Sequence, residues 1–405
     1  MENVNYKKLN RSINIYPIFY GLTADLIFWI AINTLFLTTV KNLSASQINS
    51  IDAISTIVGI IFQIILVKIV RKIGNLNSVK LGVTLLFVSV LLNTISTNYI
   101  GFLIAELCYV IGFVFKHMDN VILIKNLKYL NRSEEYINYQ TKGSTIYSLI
   151  TLFISIISGF MFNINPYIPM IICLLVCFIN IILTNFIYEV PISFDESEVI
   201  ESNYTKNNFS KKIILMIILY GLFYAMIGCG QKNSKLFIQF DLQNLLKIDK
   251  VAIYMSAFIF ISRILRLLSN LLFLKIYNRY KEKMLYIFEF GLVLAFISLL
   301  IGHFIGSIYG VYIMALGFFM FLFIRDPFDN FMRKTLFENG SEKVHDKIVN
   351  YINLTRKIFT LIYSTIVASM LIKLNYVYVM SLLLILSISF IVIIYKVYRL
   401  VRGKK

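Results

Sequence analysis

A small set of ionisable side chains lies inside long apolar segments of this chain. Asp25 stands about a third of the way into the first apolar run, and Glu106 lies within the fourth. Arg263 and Arg266 are one helical turn apart near the middle of the eighth. Charged groups are costly in such surroundings and mark functional positions by default. We therefore expect the chemistry of the protein to depend on these residues.

Three titratable groups suit a role in moving protons. Burial raises the pKa of a carboxyl group toward neutrality, so Asp25 is the first candidate and Glu106 the second. His117, near the end of the fourth run, titrates close to physiological pH. Structural roles are the alternatives. Asp25 could pair with a buried base, Glu106 could extend to the outer surface, and His117 could belong to an ordinary charged helix end.

Other basic residues suit the binding of an anion. Guanidinium groups make bidentate contacts with carboxylates and phosphates, so Arg263 and Arg266, together with Lys116, are candidate substrate ligands. The alternative is a buried ion pair that fixes helix packing, with Glu289 as one partner for the arginines. Lys116 also lies three residues before Asp119, so the two can pair on one helix face.

Charged residues at the ends of two later runs are candidates for a gate. Arg325 and Asp326 end the tenth run, and Arg356 lies at the start of the eleventh. Salt bridges among such residues could close one side of a cavity in one state and break in another. Ordinary loop charge next to a membrane is the alternative interpretation.

Tyrosines on the seventh and tenth runs could form an apolar wall for an aromatic or amphipathic substrate. The four candidates are Tyr220, Tyr224, Tyr309 and Tyr312. Aromatic residues make up 15% of the chain, and most of them are expected in the core or facing lipid.

The composition places all these residues in an integral membrane protein. The chain has 405 residues, of which 58% are hydrophobic and 15% are charged. Soluble domains have about 25% charged residues, so soluble enzymes, disordered proteins and disulfide scaffolds are excluded. Twelve apolar runs have the length of a transmembrane helix, and all five prolines lie at their ends. The runs are 17–40, 51–70, 79–97, 99–118, 144–163, 166–188, 212–231, 251–273, 284–304, 307–325, 352–372 and 376–395.

The net charge of +18 is explained by membrane topology, without a nucleic-acid partner. With both termini in the cytoplasm, most of the 39 Lys and Arg residues fall on the inner side. Lys232 and Lys235 are among the few expected in outer loops. The four cysteines lack metal-site spacing and are expected to be packed thiols, so neither a metal nor a cofactor is expected. We expect a bacterial cytoplasmic membrane protein that is a monomer in the bilayer.

The twelve runs divide into two groups of six. The longest polar stretch, 189–211, is a predicted cytoplasmic linker between an N-terminal bundle at 1–188 and a C-terminal bundle at 212–405. The expected fold class is therefore all-α, with twelve transmembrane helices in two pseudo-symmetric six-helix bundles.

An internal repeat supports this division. The sequence Tyr136-Ile137-Asn138 before the fifth run recurs as Tyr351-Ile352-Asn353 before the eleventh. The segments 113–120 and 321–330, which close the fourth and tenth runs, each contain Phe-x-Phe, a basic residue and then Asp-Asn. Two matches in the same order favour duplicated halves.

Six plus six spans, a central loop and a repeat by halves together resemble the major facilitator superfamily of secondary transporters. That family carries Gly-x-x-x-Asp-Arg/Lys-x-Gly-Arg-Arg/Lys after its second span. Here Lys72 and Gly74 match this motif, whereas Val67 replaces the first glycine and Arg71 the aspartate. The resemblance implies a central cavity lined by spans 1, 4, 7 and 10, and makes Lys72 and Gly74 gating candidates, together with Asp119.

The tenth run ends in Arg-Asp-Pro-Phe, which resembles uncharacterised superfamily members of low-GC Gram-positive bacteria. The implied function is secondary active transport of a small molecule by alternating access, coupled to an ion that we expect to be a proton. Export of amphipathic compounds is the first hypothesis. The alternatives are an anion transporter that uses Arg263 and Arg266, a lipid translocator, or a membrane sensor without transport. Motifs of nucleotide-binding proteins, zinc proteases and serine hydrolases are absent from the sequence, so an enzyme is not expected.

Overall fold

A computed structural model describes residues 5–190, 210–339 and 345–402 of the chain. Contacts between Cα atoms divide the chain into two compact units. Unit 1 comprises Met1–Leu43 and Ile54–Glu196, and unit 2 comprises Ser44–Ala53 and Ser197–Lys405. Residues 191–209, which make up most of the predicted linker, lie outside the described residues.

The helices of the first half of the chain are numbered α1 to α8 in chain order. They are α1 (Tyr6–Thr23), α2 (Trp29–Leu35), α3 (Ala45–Ile73), α4 (Asn75–Ile95), α5 (Tyr99–Lys116), α6 (Met118–Tyr129), α7 (Tyr136–Ile164) and α8 (Ile168–Leu183). A π-helical turn, Phe36–Val40, continues α2, and 3-10 turns cover Ser133–Glu135 and Thr184–Phe186. The start of α3 belongs to unit 2, and its later part belongs to unit 1.

The helices of the second half are longer on average. They are α9 (Lys211–Leu245), α10 (Ile248–Tyr280), α11 (Met284–Ile305), α12 (Ile308–Asn339), α13 (His345–Lys373) and α14 (Tyr376–Arg402). Ser210 caps α9, because its side chain accepts a hydrogen bond from the amide of Ile213. A 3-10 turn, Lys281–Lys283, joins α10 to α11.

The predicted all-α membrane architecture is confirmed. Eleven stretches of the described chain are long and apolar enough to cross a membrane, and they correspond to predicted runs two to twelve. The first run, predicted as one helix at 17–40, is instead interrupted: α1 ends at Thr23, and only a short apolar helix covers Ala31–Val40. The physical reason is the side chain of Asp25, described below.

Several helices extend beyond the predicted run ends. Pro17 and Pro327 lie inside α1 and α12, although the sequence suggested that all prolines end a span. Proline lacks an amide hydrogen and weakens a helix locally, and both prolines are buried. Helix α9 continues to Leu245, so Lys232 and Lys235 lie within it and not in an outer loop.

Apolar side chains fill the interior of each unit and also cover much of its outside. In unit 1, Phe19 packs with Val79 and Val83 in a fully buried cluster. In unit 2, the rings of Phe223 and Phe328 stack with centroids 4.3 Å apart. Many large apolar side chains are exposed, which is the pattern expected of helices that face lipid.

Candidate functional site

The interruption of the first span is made by Asp25. Its Oδ1 accepts a hydrogen bond of 2.8 Å from the amide of Leu26. In a continuous helix that amide would donate to the carbonyl of Leu22. The Leu22 carbonyl accepts a hydrogen bond of 3.1 Å from Asn180 Nδ2 of α8 instead. Two side chains thus satisfy the backbone groups that the break releases.

A tyrosine from α5 also contacts Asp25. The hydroxyl of Tyr109 donates to Asp25 Oδ1 over 2.9 Å. Glu106 is half-buried and lies three residues before Tyr109, on the same face of α5. His117 is exposed at the junction of α5 and α6, with its ring 6.0 Å from that of Phe113. The three predicted proton groups therefore do not form one cluster, although Asp25 and Glu106 share a tyrosine as neighbour.

Lys116 and Asp119 form the buried pair that their spacing allows. Lys116 Nζ lies 3.0 Å from Asp119 Oδ2, and the two side chains are 0% and 1% exposed. Lys116 Nζ also lies 4.7 Å from the centre of the Tyr20 ring. Because each charge is neutralised by the other, this pair offers little net charge to a solute.

A cluster of positive charge surrounds Tyr224 in unit 2, and we call Arg325, Arg356 and Tyr224 the arginine cluster. Arg325 Nε donates to the hydroxyl of Tyr224 over 3.2 Å, and its Nη1 donates to Gln231 Oε1 over 3.1 Å. The guanidinium carbons of Arg325 and Arg356 lie 5.7 Å and 5.3 Å from the Tyr224 ring centre. Both distances suit cation–π contacts. Two residues expected at a gate therefore meet a tyrosine expected at a substrate wall.

Neighbouring side chains hold this cluster in place. The rings of Tyr220 and Tyr224 stack with centroids 5.5 Å apart. The hydroxyl of Tyr220 donates to Asp329 Oδ1 over 2.5 Å, and Arg333 Nε donates to the same oxygen over 2.8 Å. Gln231 and Arg333 were not among the residues predicted from the sequence. One feature of the sequence that pointed to this region was the Asp-Asn pair of the repeat, which contains Asp329.

The two arginines of α10 have different surroundings from those expected. Arg266 donates from Nε to Asp326 Oδ2 over 2.6 Å and from Nη2 to Oδ1 over 3.0 Å. Its partner is therefore Asp326, where the sequence suggested Glu289, which is 4% exposed on α11. Arg263 is close enough to Lys235 for their charges to interact. Arg266 is therefore engaged by a carboxylate, whereas Arg263 lies near a second basic group.

The other two predicted wall tyrosines lie elsewhere. Tyr309 and Tyr312 are 75% and 44% exposed at the start of α12. Tyr312 lies beside Tyr254, with ring centroids 6.3 Å apart. At 1.5 Å per residue, Tyr312 and Arg325 are roughly 20 Å apart along the helix. These tyrosines therefore do not extend the Tyr220–Tyr224 stack.

The turn that contains the predicted gating residues Lys72 and Gly74 is held by a residue outside the motif. Lys72 is exposed, and Gly74 has a φ of 83°, which permits the sharp turn from α3 into α4. Glu189 Oε1 accepts a hydrogen bond of 2.6 Å from Asn75 Nδ2 and lies 3.4 Å from Lys125 Nζ. A carboxylate from beyond α8 thus anchors the turn.

Comparison with solved structures decides the fold. No protein-family model and no curated protein matches the chain. A bacterial homologue of the iron transporter ferroportin in an inward-facing state is similar over 98% of this chain and 100% of its own, with TM-score 0.69 and 13% identity. The nucleoside transporter NupG is similar over 98% and 99%, with TM-score 0.73 and 11% identity. The chain has the major facilitator superfamily fold.

A third similar structure agrees with this assignment. The xylose transporter XylE from E. coli, in an inward-open conformation, is similar over 94% of this chain and 95% of its own, with TM-score 0.64 and 13% identity. A homologue of an iron transporter, a nucleoside transporter and a sugar transporter thus share one fold, so the fold leaves the substrate open.

Proposed function

We propose that this chain is a secondary transporter of a negatively charged organic solute, which binds at the arginine cluster of unit 2. The transporter class is supported by the fold and by the eleven apolar helices. The anionic substrate is supported by one observation above all: two guanidinium groups lie on a single tyrosine ring. This differs from the hypothesis based on Arg263 and Arg266, because Arg266 is engaged by Asp326.

The charge of the cluster favours an anion over other solutes. Asp329 contacts Tyr220 and Arg333. Asp326 contacts Arg266 and lies close enough to Arg325 for their charges to interact. With Arg356, four arginines share two carboxylates among the described residues of this region, so it keeps a net positive charge. Guanidinium groups bind carboxylates and phosphates through two parallel hydrogen bonds. An organic anion with a flat apolar part could place its charge between the arginines and its apolar part on the tyrosine stack.

Binding and counterflow measurements on the purified chain test this proposal. The probes are benzoate, succinate and glycerol phosphate, used in thermal-shift assays and in proteoliposomes. We expect at least one anion to stabilise the protein and to exchange across the membrane. Arg325→Gln and Arg356→Gln should each weaken its binding about tenfold to 100-fold, since a hydrogen bond to a charged group is worth about 1.5–3 kcal/mol.

Arg279 provides a matched control. It is exposed on α10, and its guanidinium carbon lies 5.6 Å from the ring centre of Tyr280, so it also makes a cation–π contact. Arg279→Gln should leave anion binding unchanged. If no anion binds, or if all three variants bind the anion like wild type, the anion proposal is wrong.

A second candidate is proton-driven export of amphipathic compounds, which the aromatic stack favours. Besides Tyr220 and Tyr224, the stack includes Phe223 and Phe328. The two nearby arginines repel cations, so such a compound would be neutral. Under this candidate, Tyr224→Ala abolishes export of a neutral fluorescent probe from everted vesicles, Arg356→Gln leaves it intact, and a protonophore stops it.

A further inference from the structure

The helix break in unit 1 borders a small cavity that the proposed function does not use. Most of its lining is apolar, for example Val83 and Leu86. Its polar lining comes from Thr23, Asp25 and Asn180. The space suits one water molecule or one small ion.

Asn180 gives the clearest sign of a ligand. It is 3% exposed, and its Nδ2 donates to the Leu22 carbonyl. Its Oδ1 accepts no hydrogen bond from any part of the chain that the structure describes. Because buried side-chain oxygens nearly always have a partner, this oxygen calls for a hydrogen-bond donor or a cation.

The other polar groups present oxygen to the same cavity. The hydroxyl of Thr23 donates its hydrogen to the Phe19 carbonyl over 2.7 Å, which leaves the lone pairs of Oγ1 as acceptors. Asp25 supplies a carboxylate at the break itself. Carboxylate, amide and hydroxyl oxygens are the ligands that hard cations prefer.

The charge of the cavity lining favours a monovalent ion. The described residues that line the cavity include one carboxylate, that of Asp25, and no basic side chain. A monovalent cation would match the single negative charge of this lining, whereas a divalent cation would leave an excess positive charge among apolar side chains, at a high desolvation cost. The small volume favours sodium over the larger potassium ion.

We propose that Asp25, Asn180 and Thr23 form a sodium site at the helix break, and that sodium is the coupling ion of the transporter. The coupling role rests on the proposed transport function, whereas the site itself does not. A proton as coupling ion, which the sequence suggested, is the competing outcome of the test.

The fluorescence of Trp29 can report on ion binding at this site. Trp29 is the one tryptophan of the sequence and the first residue of α2, directly after the break. It is 7% exposed, with its ring 6.2 Å from that of Phe36. An ion that orders the break should therefore change its fluorescence.

The experiment titrates sodium chloride into the purified full chain, with choline chloride keeping the ionic strength constant. Trp29 fluorescence and the thermal midpoint are recorded together, and potassium, calcium, manganese and zinc chlorides are tested in parallel. We expect a saturable response to sodium in both readouts. Asp25→Asn and Asn180→Leu should each weaken the apparent sodium affinity at least about tenfold, since each removes a ligand.

Asn93→Leu is the matched control. Asn93 is 4% exposed, and its Nδ2 donates to the Ser89 carbonyl of its own helix, so the same substitution there should leave the sodium response intact. The sodium site is overturned if neither readout responds to sodium, which would indicate a trapped water only. It is also overturned if protons act without sodium, or if calcium, manganese or zinc acts in its place. Zinc is included because Cys173 and Cys177 also line the cavity.

Benzoate counterflow with and without a sodium gradient separates this proposal from the proposed function. Sodium dependence that Asn180→Leu abolishes supports both proposals. Anion transport that does not depend on sodium overturns the coupling role of sodium and still supports the proposed anion transport. A sodium response in Trp29 without transport of any anion supports the site and contradicts the proposed function.

Discussion

Two clusters with the same kinds of residue, one in each unit, differ in their net charge. In unit 1, Tyr16 donates to Asn120 Oδ1 over 2.8 Å, and Lys116 lies over the ring of Tyr20. Tyr16 and Tyr20 are one helical turn apart, with centroids separated by 5.8 Å. Asp119 neutralises the lysine, and both are buried.

The cluster in unit 2 resembles this arrangement but contains more basic residues. Tyr220 donates to Asp329, and Arg325 lies over the ring of Tyr224 one turn further along. Arg356 then adds a second guanidinium group to the same ring. The basic residue of the pattern is thus neutralised in unit 1 and reinforced in unit 2.

The repeat in the sequence locates the origin of this difference. When Tyr136 is aligned with Tyr351, Thr141 takes the place of Arg356. This position is one of the differences between the clusters, since Asp119 pairs with Lys116 in unit 1 whereas Asp329 pairs with Arg333 in unit 2. We infer that the two halves kept one packing pattern and that one of them acquired the solute site.

The largest loss of stability should come from breaking the buried Lys116–Asp119 ion pair of unit 1. Lys116→Met leaves Asp119 as an uncompensated charge in the interior and should destabilise the protein by about 3–5 kcal/mol. Adding Asp119→Leu should restore most of the loss. Thermal unfolding in detergent measures both variants.

Arg266→Met breaks an ion pair of unit 2 that is less buried. Arg266 and Asp326 are 28% and 19% exposed, so breaking their pair should cost clearly less than breaking that of Lys116. Equal losses of stability in Lys116→Met and Arg266→Met would show that burial does not set the cost of breaking an ion pair in this protein.

The next largest effect, on anion binding, is expected at Arg356, where the first repeat has Thr141. Arg356→Thr should weaken anion binding about tenfold to 100-fold, since it removes one charged ligand. The reverse change, Thr141→Arg, should add no anion binding, because Asp119 still neutralises Lys116 in unit 1. Thermal shifts with benzoate measure both. Anion binding gained by Thr141→Arg would show that net charge alone makes the site.

A smaller effect should separate the hydroxyl of Tyr224 from its ring. Tyr224→Phe removes the 3.2 Å hydrogen bond from Arg325 and should weaken anion binding by about 0.5–1.5 kcal/mol. Tyr224→Leu also removes the cation–π contacts of both arginines and should weaken it further. Isothermal titration of the anion ranks the variants, and equal affinities would mean that the ring does not position the arginines.

The sequence predicted the membrane fold because long apolar runs leave few options in a bilayer. It also predicted the Lys116–Asp119 pair, since a spacing of three residues puts both side chains on one helix face. The arginine cluster was only partly predictable. Arg325, Arg356 and Tyr224 were each candidates, but their meeting depends on how α9, α12 and α13 pack.

The break at Asp25 was not predictable from hydropathy. The run from 17 to 40 is apolar throughout except for a few polar residues, and a helix there satisfies every periodicity argument. The break depends on two hydrogen bonds, from Leu26 to Asp25 and from Asn180 to Leu22. The hydrogen bond between Asn180 and Leu22 joins residues far apart in the chain, so no local sequence pattern predicts it.

The smallest effect on stability is expected at a more exposed ion pair of unit 1. This pair shows how little a charged pair contributes when it is not buried. Arg132 donates to both carboxylate oxygens of Glu135, over 2.7 Å and 2.6 Å. These hydrogen bonds lower the pKa of Glu135 below its ordinary value of 4.5. A carboxyl group with a lowered pKa stabilises the folded state above the ordinary value, and this contribution is lost as the pH falls through the lowered one.

Glu135→Gln should therefore lower the thermal midpoint slightly at neutral pH, and the difference from wild type should vanish well below pH 4.5. Glu134→Gln, at the adjacent exposed carboxylate, is the control for the loss of one negative charge at the surface. A high salt concentration should reduce the Glu135 effect, since exposed charges are screened, whereas the loss caused by Lys116→Met should persist in salt. Burial, and not the mere presence of opposite charges, would then be what makes the unit 1 pair structural. A Glu135 effect as large as that of Lys116→Met would remove burial as the explanation.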